Sequence, residues 1–268
     1  MLPGVYLATK KDGTVYYRSS ITYRSKHISL GSFPTEEDAH CAYRCALKIS
    51  SEPLSLEESL AFTNYLSFEK IISLVNFRDN GMYIPTPIYL HKNYFSYYLD
   101  LHHELKFDID DLFYYSSHKI LKRQGHLYVN DYGMQITLLS RYGIKSHAVC
   151  DRDYRFVNGD KNDFRYSNIE VINPYFGVMR YMKNGMYRYR VRLHINGNHT
   201  IGTYRDEARA AIAYNKAVDL AHQAGIDKKY PENYIEELSA KDYAEIYTKV
   251  KISKKYLKYL DSLQSGSN

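Results

Sequence analysis

Between residues 187 and 193 apolar and basic side chains alternate, with Tyr187, Tyr189, Val191 and Leu193 interleaved with Arg188, Arg190 and Arg192. A period of two marks a strand with one buried face. This strand is therefore expected to carry an apolar face and a face of three guanidinium groups. Asn196-Gly197 is a hairpin signal, so His199 to Tyr204 should return antiparallel beside it. From Asp206 the period becomes helical, through Ala210, Ala213, Tyr214, Ala217 and Leu220, and these small residues let a helix sit close on the sheet. The arginine face is left uncovered.

The same plan occurs at the start of the chain. Leu30-Gly31-Ser32-Phe33 answers Ile201-Gly202-Thr203-Tyr204 at an offset of 171, which carries Ala39 onto Ala210, Ala42 onto Ala213 and Tyr43 onto Tyr214. Upstream, Gly4-Val5 answers Gly177-Val178, and Tyr17-Arg18 is matched with Tyr187-Arg188. Two repeats of about fifty residues follow, each three strands and a helix.

Elsewhere the periods are weaker. Residues 52–75 read as helical, with Ser55 and Glu58 as a capping box, and residues 85–103 are Tyr-rich without a clear period. Short strands joined by a turn at Gly125 are expected after Phe113. Between Tyr154 and Ile172, Asn158-Gly159 signals a hairpin, and Asn162 or Asp163 would cap a short helix ending near Glu170. Tyr234 to Leu263 reads as one or two amphipathic helices, with the lysines on a solvated or phosphate-facing side, and Ser265 to Asn268 should be frayed.

Charge sharpens this division. The chain of 268 residues is +6 overall, but residues 1–50 carry +3, residues 51–174 carry −3, residues 175–224 carry +5 and residues 225–268 carry +1. Two basic blocks coincide with the repeats, as separate polyanion-binding units would. With 44% hydrophobic residues, disorder is excluded. No long apolar run and no apolar leader after Met1 are present, so a cytoplasmic protein without a membrane partner is expected. Cys41, Cys45 and Cys150 form no Cys-x-x-Cys pair and read as reduced thiols, with Cys41 and Cys45 packing on the first repeat's sheet. His40 beside them reads as surface.

Gly177-Val178, the Tyr-Arg-Tyr-Arg-Val-Arg strand, Ile201 to Tyr204 and the Ala-x-x-Ala-Tyr helix resemble the APETALA-type (ethylene-response-factor-type) DNA-binding domain, and residues 4–49 resemble a second copy. The resemblance implies a three-stranded sheet in the major groove with a helix behind it. It places base and phosphate contacts on Arg188, Arg190 and Arg192, with Arg180 on the first strand. In the first copy the corresponding face is read as Arg18, Ser20, Thr22 and Arg24, with Leu7 where Arg180 stands, which makes it the weaker reader. Tyr187 and Tyr17 replace the family's strand Trp.

Residues 154–172 resemble the HNH endonuclease family, and the domain order resembles phage homing-type nucleases. That chemistry needs a carboxylate and a late Asn or His on one divalent metal, with a His as base. Here Arg155 stands at the metal-binding Asp, Phe156 at the base, Phe164 at the first Asn and Gly177 near the late ligand, while Asn158, Gly159, Asp160, Arg165 and Asn168 survive. The strand Gln135 to Leu139 supplies no His either. The pattern implies a fold kept while its catalytic centre was lost, with Arg155 and Arg165 available for DNA phosphate. Two other ligand sets are weaker: His102-His103-Glu104 with Asp108, Asp110 and Asp111 reads as a solvated acidic turn, and His147, Cys150, Asp151 and Asp153 as a displaced site.

The expected fold is α+β. DNA-binding sheet-and-helix domains at 1–50 and 175–226 flank a connecting region at 51–110 and a degenerate ββα-metal, HNH-like domain at 111–174, and 227–268 is a helical extension. The expected function is sequence-specific binding of double-stranded DNA without catalysis or cofactor, by a monomer acting as a pseudo-dimer in regulation or site occlusion. Two readings compete: a Mg²⁺-dependent endonuclease, and a module that binds a host or phage protein through its acidic middle.

Overall fold

The computed structural model describes residues 1–265; the expectation for Gly266 to Asn268 lies outside them. It is a mixed α+β chain whose sheets are small and antiparallel. Two compact units divide it: residues 1–142 with 156–169, and residues 143–155 with 170–268.

The first unit opens with β1 (Val5–Thr9), β2 (Val15–Tyr23) and β3 (Lys26–Phe33), a sheet in sequence order, followed by α1 (Glu36–Ser51). The Thr35 side chain accepts from the Asp38 N–H and caps α1, and Glu36, Glu37 and Asp38 in the first turn suit the positive helix end. Ile21, Ile28 and Leu30 face Ala42, Ala46 and Ile49 across this sheet and helix. Cys45 packs beside them, as expected, and the His40 ring meets the Pro3 carbonyl and stacks on Tyr43.

The helical reading of 52–75 resolves into α2 (Leu56–Leu60) and α3 (Phe68–Asn80). The capping box is present: Ser55 Oγ accepts from the Glu58 N–H, and Glu58 Oε2 accepts from the Ser55 N–H. Ser67 caps α3 separately and Gly81, with φ of 71°, ends it. The Tyr-rich stretch forms β4 (Ile88–Leu90), β5 (Tyr94–Asp100) and β6 (His103–Asp108), where Phe95, Tyr97, Leu105 and Phe107 are buried. A short α4 (Leu112–Ser117) precedes β7 (Ile120–Arg123), β8 (His126–Asp131) and β9 (Met134–Thr137), with Gln124-Gly125 at the expected turn.

The expected hairpin and short helix between 154 and 172 are not what forms. β10 (Tyr154–Phe156) pairs with β11 (Ile169–Val171), and between them lies a loop whose only helical turn is a 3-10 turn at Tyr166–Asn168. One of the expected caps, Asp163, is engaged otherwise. Asp163 accepts from Arg165 Nε at 2.8 Å, Arg165 Nη2 at 2.6 Å and Asn158 Nδ2 at 3.0 Å. Asn168 accepts from the Asn158 N–H at 2.8 Å and donates to the Asp163 carbonyl at 2.8 Å. Side chains that would start a helix instead fasten a loop to itself.

The second unit repeats the opening plan: β12 (Val178–Lys183), β13 (Met186–His194) and β14 (Asn198–Tyr204), then α5 (Glu207–Gln223) capped by Asp206, which accepts from the Arg209 N–H at 2.8 Å. Val178, Val191, Leu193 and Ile201 meet Ala210, Tyr214 and Ala217. The C-terminal stretch forms α6 (Ala240–Lys249) and α7 (Lys254–Ser265). Tyr256 and Leu260 of α7 enter the sheet-and-helix core, and Tyr243, Ile246 and Tyr247 of α6 cover the back of α5 at Ala211 and Ile212. No helix among the described residues is long and apolar enough to cross a membrane.

Candidate nucleic-acid interface

In the second repeat, ladder partners define the outward face. Met179 lies opposite Arg190 and Tyr181 opposite Arg188, while Arg190 faces Thr203 and Arg192 faces Thr200 on the other side. Partners on adjacent strands share a face, so three arginines, two threonines, Met179 and Tyr181 are presented together. Val191 and Leu193, of opposite parity, are buried. The Arg190 guanidinium lies 4.8 Å from the centre of the Tyr181 ring, Arg188 donates to the Tyr187 carbonyl at 3.2 Å, and Arg192 is exposed. Among the described residues, the ion pairs of this unit involve Arg152, Arg155, Arg180, Arg209 and Lys249, and none involves these three arginines.

Arg180 does not belong to that face. It lies opposite Tyr189 and two residues from buried Val178, so the strand's alternation turns it to the helix side. There it sits over the Tyr187 ring at 4.8 Å and pairs with Glu170 at 3.7 Å. Burial raises the carboxyl pKa of Glu207, which Arg180 partly offsets.

The first repeat presents fewer outward arginines than the second, and for a different reason from the one expected. Val5 pairs with Ser19 as Val178 pairs with Val191, and both second strands carry a bulge immediately after that residue. Arg18 thus corresponds to Arg190, not Arg188, and Ser20 to Arg192. Between these partners the first copy has one residue more, because Lys10 to Thr14 join β1 to β2 where only Asn184-Gly185 join β12 to β13, while β1 and the stretch of β2 up to Ser19 are each one residue shorter than their counterparts. Arg18 is exposed, opposite Tyr6 and Ser32, and donates to the Tyr16 hydroxyl at 2.8 Å. Thr22, opposite His27, is also exposed, but Ser20 is only 8% exposed. Arg24 leaves the face altogether. It occupies the β2–β3 turn with φ of 47°, and its Nη1 donates to the Phe77 carbonyl at the end of α3 at 3.1 Å. One of the four first-copy residues, Arg18, remains as an outward cation.

At the positions matched by the expected HNH resemblance, Arg155 is not a free cation, because its Nε donates to Glu170 Oε2 at 2.7 Å. Arg165 is likewise held by Asp163, which is 1% exposed, and lies over the Tyr94 ring at 5.3 Å. Burial opposes the Asp163 charge, but the hydrogen bonds from Arg165 and Asn158 prevail and hold its pKa below the ordinary carboxylate value. Phe164 is buried against Phe107, Phe156 meets it edge-on at 5.8 Å, and Asn168 fastens the loop. Gly177, read as standing near a late metal ligand, is a packing glycine of the second repeat: at its φ of 67° a Cβ would come within 2.3 Å of Tyr214.

The other ligand sets disperse. His103 pairs with Asp100, Glu104 accepts from Ser96, Asp108 accepts from the Tyr166 N–H and Asp111 pairs with Arg141. Asp153 is taken up by Arg152, the Val149 N–H and Asn173. Among the described residues no three His, Cys, Asp or Glu side chains gather as a metal set. Comparison of the chain with protein-family models, curated proteins and solved structures found no match. Lys145 and Arg152, which border the arginine face and were not singled out from sequence, had only their sign as a signal.

Proposed function

We propose that the chain binds double-stranded DNA in a sequence-dependent way, with the β12–β14 sheet as its principal reader, the β1–β3 sheet as a weaker one, and no nuclease step. The single observation carrying this reading is the outward row of Arg188, Arg190 and Arg192 without acidic partners. An antiparallel strand advances about 3.4 Å per residue, and a duplex strand rises 3.4 Å per nucleotide. Alternate side chains on such a strand therefore keep step with alternate base pairs. Arginine pairs bidentately with the guanine edge, and a β-ribbon fits the major groove. Thr200 and Thr203 add short donors to the same face.

The inactive-nuclease origin and a role in regulation or site occlusion belong to this proposal. Loss of the metal and base positions to Arg155 and Phe156, both engaged in packing or ion pairs, is what supports it. Selection of bound duplexes from random DNA, with Mg²⁺ or Mn²⁺ present, tests both halves. An enriched motif on uncut strands is expected, and Arg190→Ala should cost about 1 to 3 kcal/mol and relax one position of the motif. Fixed cuts would restore the nuclease reading. No enrichment, or a motif indifferent to Arg190→Ala, would remove the sheet from the interface.

A further inference from the structure

Beside the arginine row, the second unit holds a cleft of about 210 Å³ whose lining includes Lys145, His147, Arg152, Asp153, Arg190 and Arg192. It is smaller than the ~300 Å³ at which pockets for drug-sized ligands begin. Its one acid is already committed: Asp153 pairs with Arg152 at 2.5 Å and also accepts from the Val149 N–H at 2.8 Å and from Asn173 Nδ2 at 3.2 Å. Burial works against the Asp153 charge, but these bonds keep its pKa low. Buried Asn173 also donates to the Arg152 carbonyl at 2.8 Å and accepts from the Arg180 N–H at 2.7 Å, tying the loop to the start of β12.

Lys145 is the unusual member. Its ammonium lies 4.0 Å from the centre of the Phe176 ring and has no hydrogen-bond or ion-pair partner among the described residues. A partly buried ammonium with a ring as its only direct contact is costly, and an anion in the cleft would relieve it.

We infer that this cleft is a phosphate site, in which Lys145, Arg152 and Arg192 surround one phosphate group. Its assignment to a DNA backbone phosphate rests on the sheet being a duplex reader; a free phosphate shares the chemistry. Burial lowers the Lys145 pKa to about 8, against a weaker upward pull from Asp153. The ammonium is the phosphate-binding form, so affinity should fall as pH rises through about 8.

The full chain is titrated with inorganic pyrophosphate at low ionic strength and, separately, with a selected duplex, as wild type, Lys145→Gln and Lys145→Arg. Pyrophosphate is expected to raise the melting temperature of wild type and Lys145→Arg but not of Lys145→Gln. The wild-type response should weaken between pH 7 and 9, while that of Lys145→Arg should not. With a duplex, loss of one phosphate contact lowers the slope of log affinity against log salt by about 0.9 in Lys145→Gln and leaves the selected sequence unaltered. An unchanged slope with pyrophosphate protection intact supports a free phosphate as the occupant. A chain without duplex affinity that still answers to pyrophosphate through Lys145 supports the site and overturns the sheet reading alone. Equal protection of Lys145→Gln, or no protection and no change of slope, overturns the site.

Discussion

Gly177 and Gly4 show how much one hydrogen atom in place of a side chain decides. Both have positive φ, 67° and 75°, and at both a Cβ would fall inside an aromatic ring, 2.3 Å from Tyr214 and 2.1 Å from Tyr43. The Gly177 Cβ would also lie 2.5 Å from the Arg192 carbonyl, whose own N–H donates to the Gly177 carbonyl at 2.8 Å. Backbone here cannot retreat without moving the arginine strand. Gly177→Ala combines left-handed strain with overpacking and should lose about 2 to 4 kcal/mol in urea denaturation. Gly125→Ala, at φ of 82° with open space around it, bears the strain alone and should lose less. Both repeat glycines were readable from sequence as matched positions, because the demand for a residue tolerating a left-handed turn is local, whereas the tyrosine that each meets lies most of a repeat away. The position of Arg180 was misread for an equally local reason: the face of β12 is set by which residue is buried, and Val178 lies two residues before it.

At the scale of elements, sequence was most informative where periodicity and caps agree. The small-residue helix begins where its period predicted, with Asp206 as its cap, and Ser55 with Glu58 formed the expected capping box. The 154–172 segment was misread because Asn and Asp start helices and close loops with the same hydrogen bonds, and only tertiary partners decide. Here Arg165 and Asn158 claim Asp163, which is nearly fully buried. Removing one partner of a buried pair leaves the other uncompensated, so Asp163→Ala should cost about 3 kcal/mol or more. The carboxyl pKa is depressed in the folded chain. Its contribution is therefore complete above the unfolded value of about 3.9 and is lost as pH falls through the lower folded one. Equilibrium denaturation of wild type between pH 5 and 3 should show this acid loss, and Asp163→Asn should flatten it. An equally steep loss in the Asn variant would place the acid sensitivity elsewhere.

For the whole molecule, the proposed function makes the two sheets unequal readers on one chain, an inequality only half legible in the sequence. The repeat itself stands out at its offset of 171. The ladders, invisible to residue matching, set Ser19 beside Val5 as Val191 is set beside Val178, and so put Ser20 where the second copy has Arg192. Buried Ser20 and the turn residue Arg24 leave that sheet one outward arginine against three. On the proposed function, tethering would still let a weak second site contribute, because once the β12–β14 sheet is bound the β1–β3 sheet searches at an effective concentration rather than from bulk solution. Three variants of the full chain separate these terms. Arg18→Ala should lower affinity several-fold and the salt slope by no more than about 0.9, one phosphate's worth. Arg188→Ala, Arg190→Ala and Arg192→Ala together should abolish sequence preference and leave weak binding that still depends on Arg18. On a duplex carrying only the principal motif, Arg18→Ala should behave as wild type, since the second sheet then has no site to read. If Arg18→Ala weakens that short duplex as much as the long one, both sheets act on one site and the bivalent reading fails.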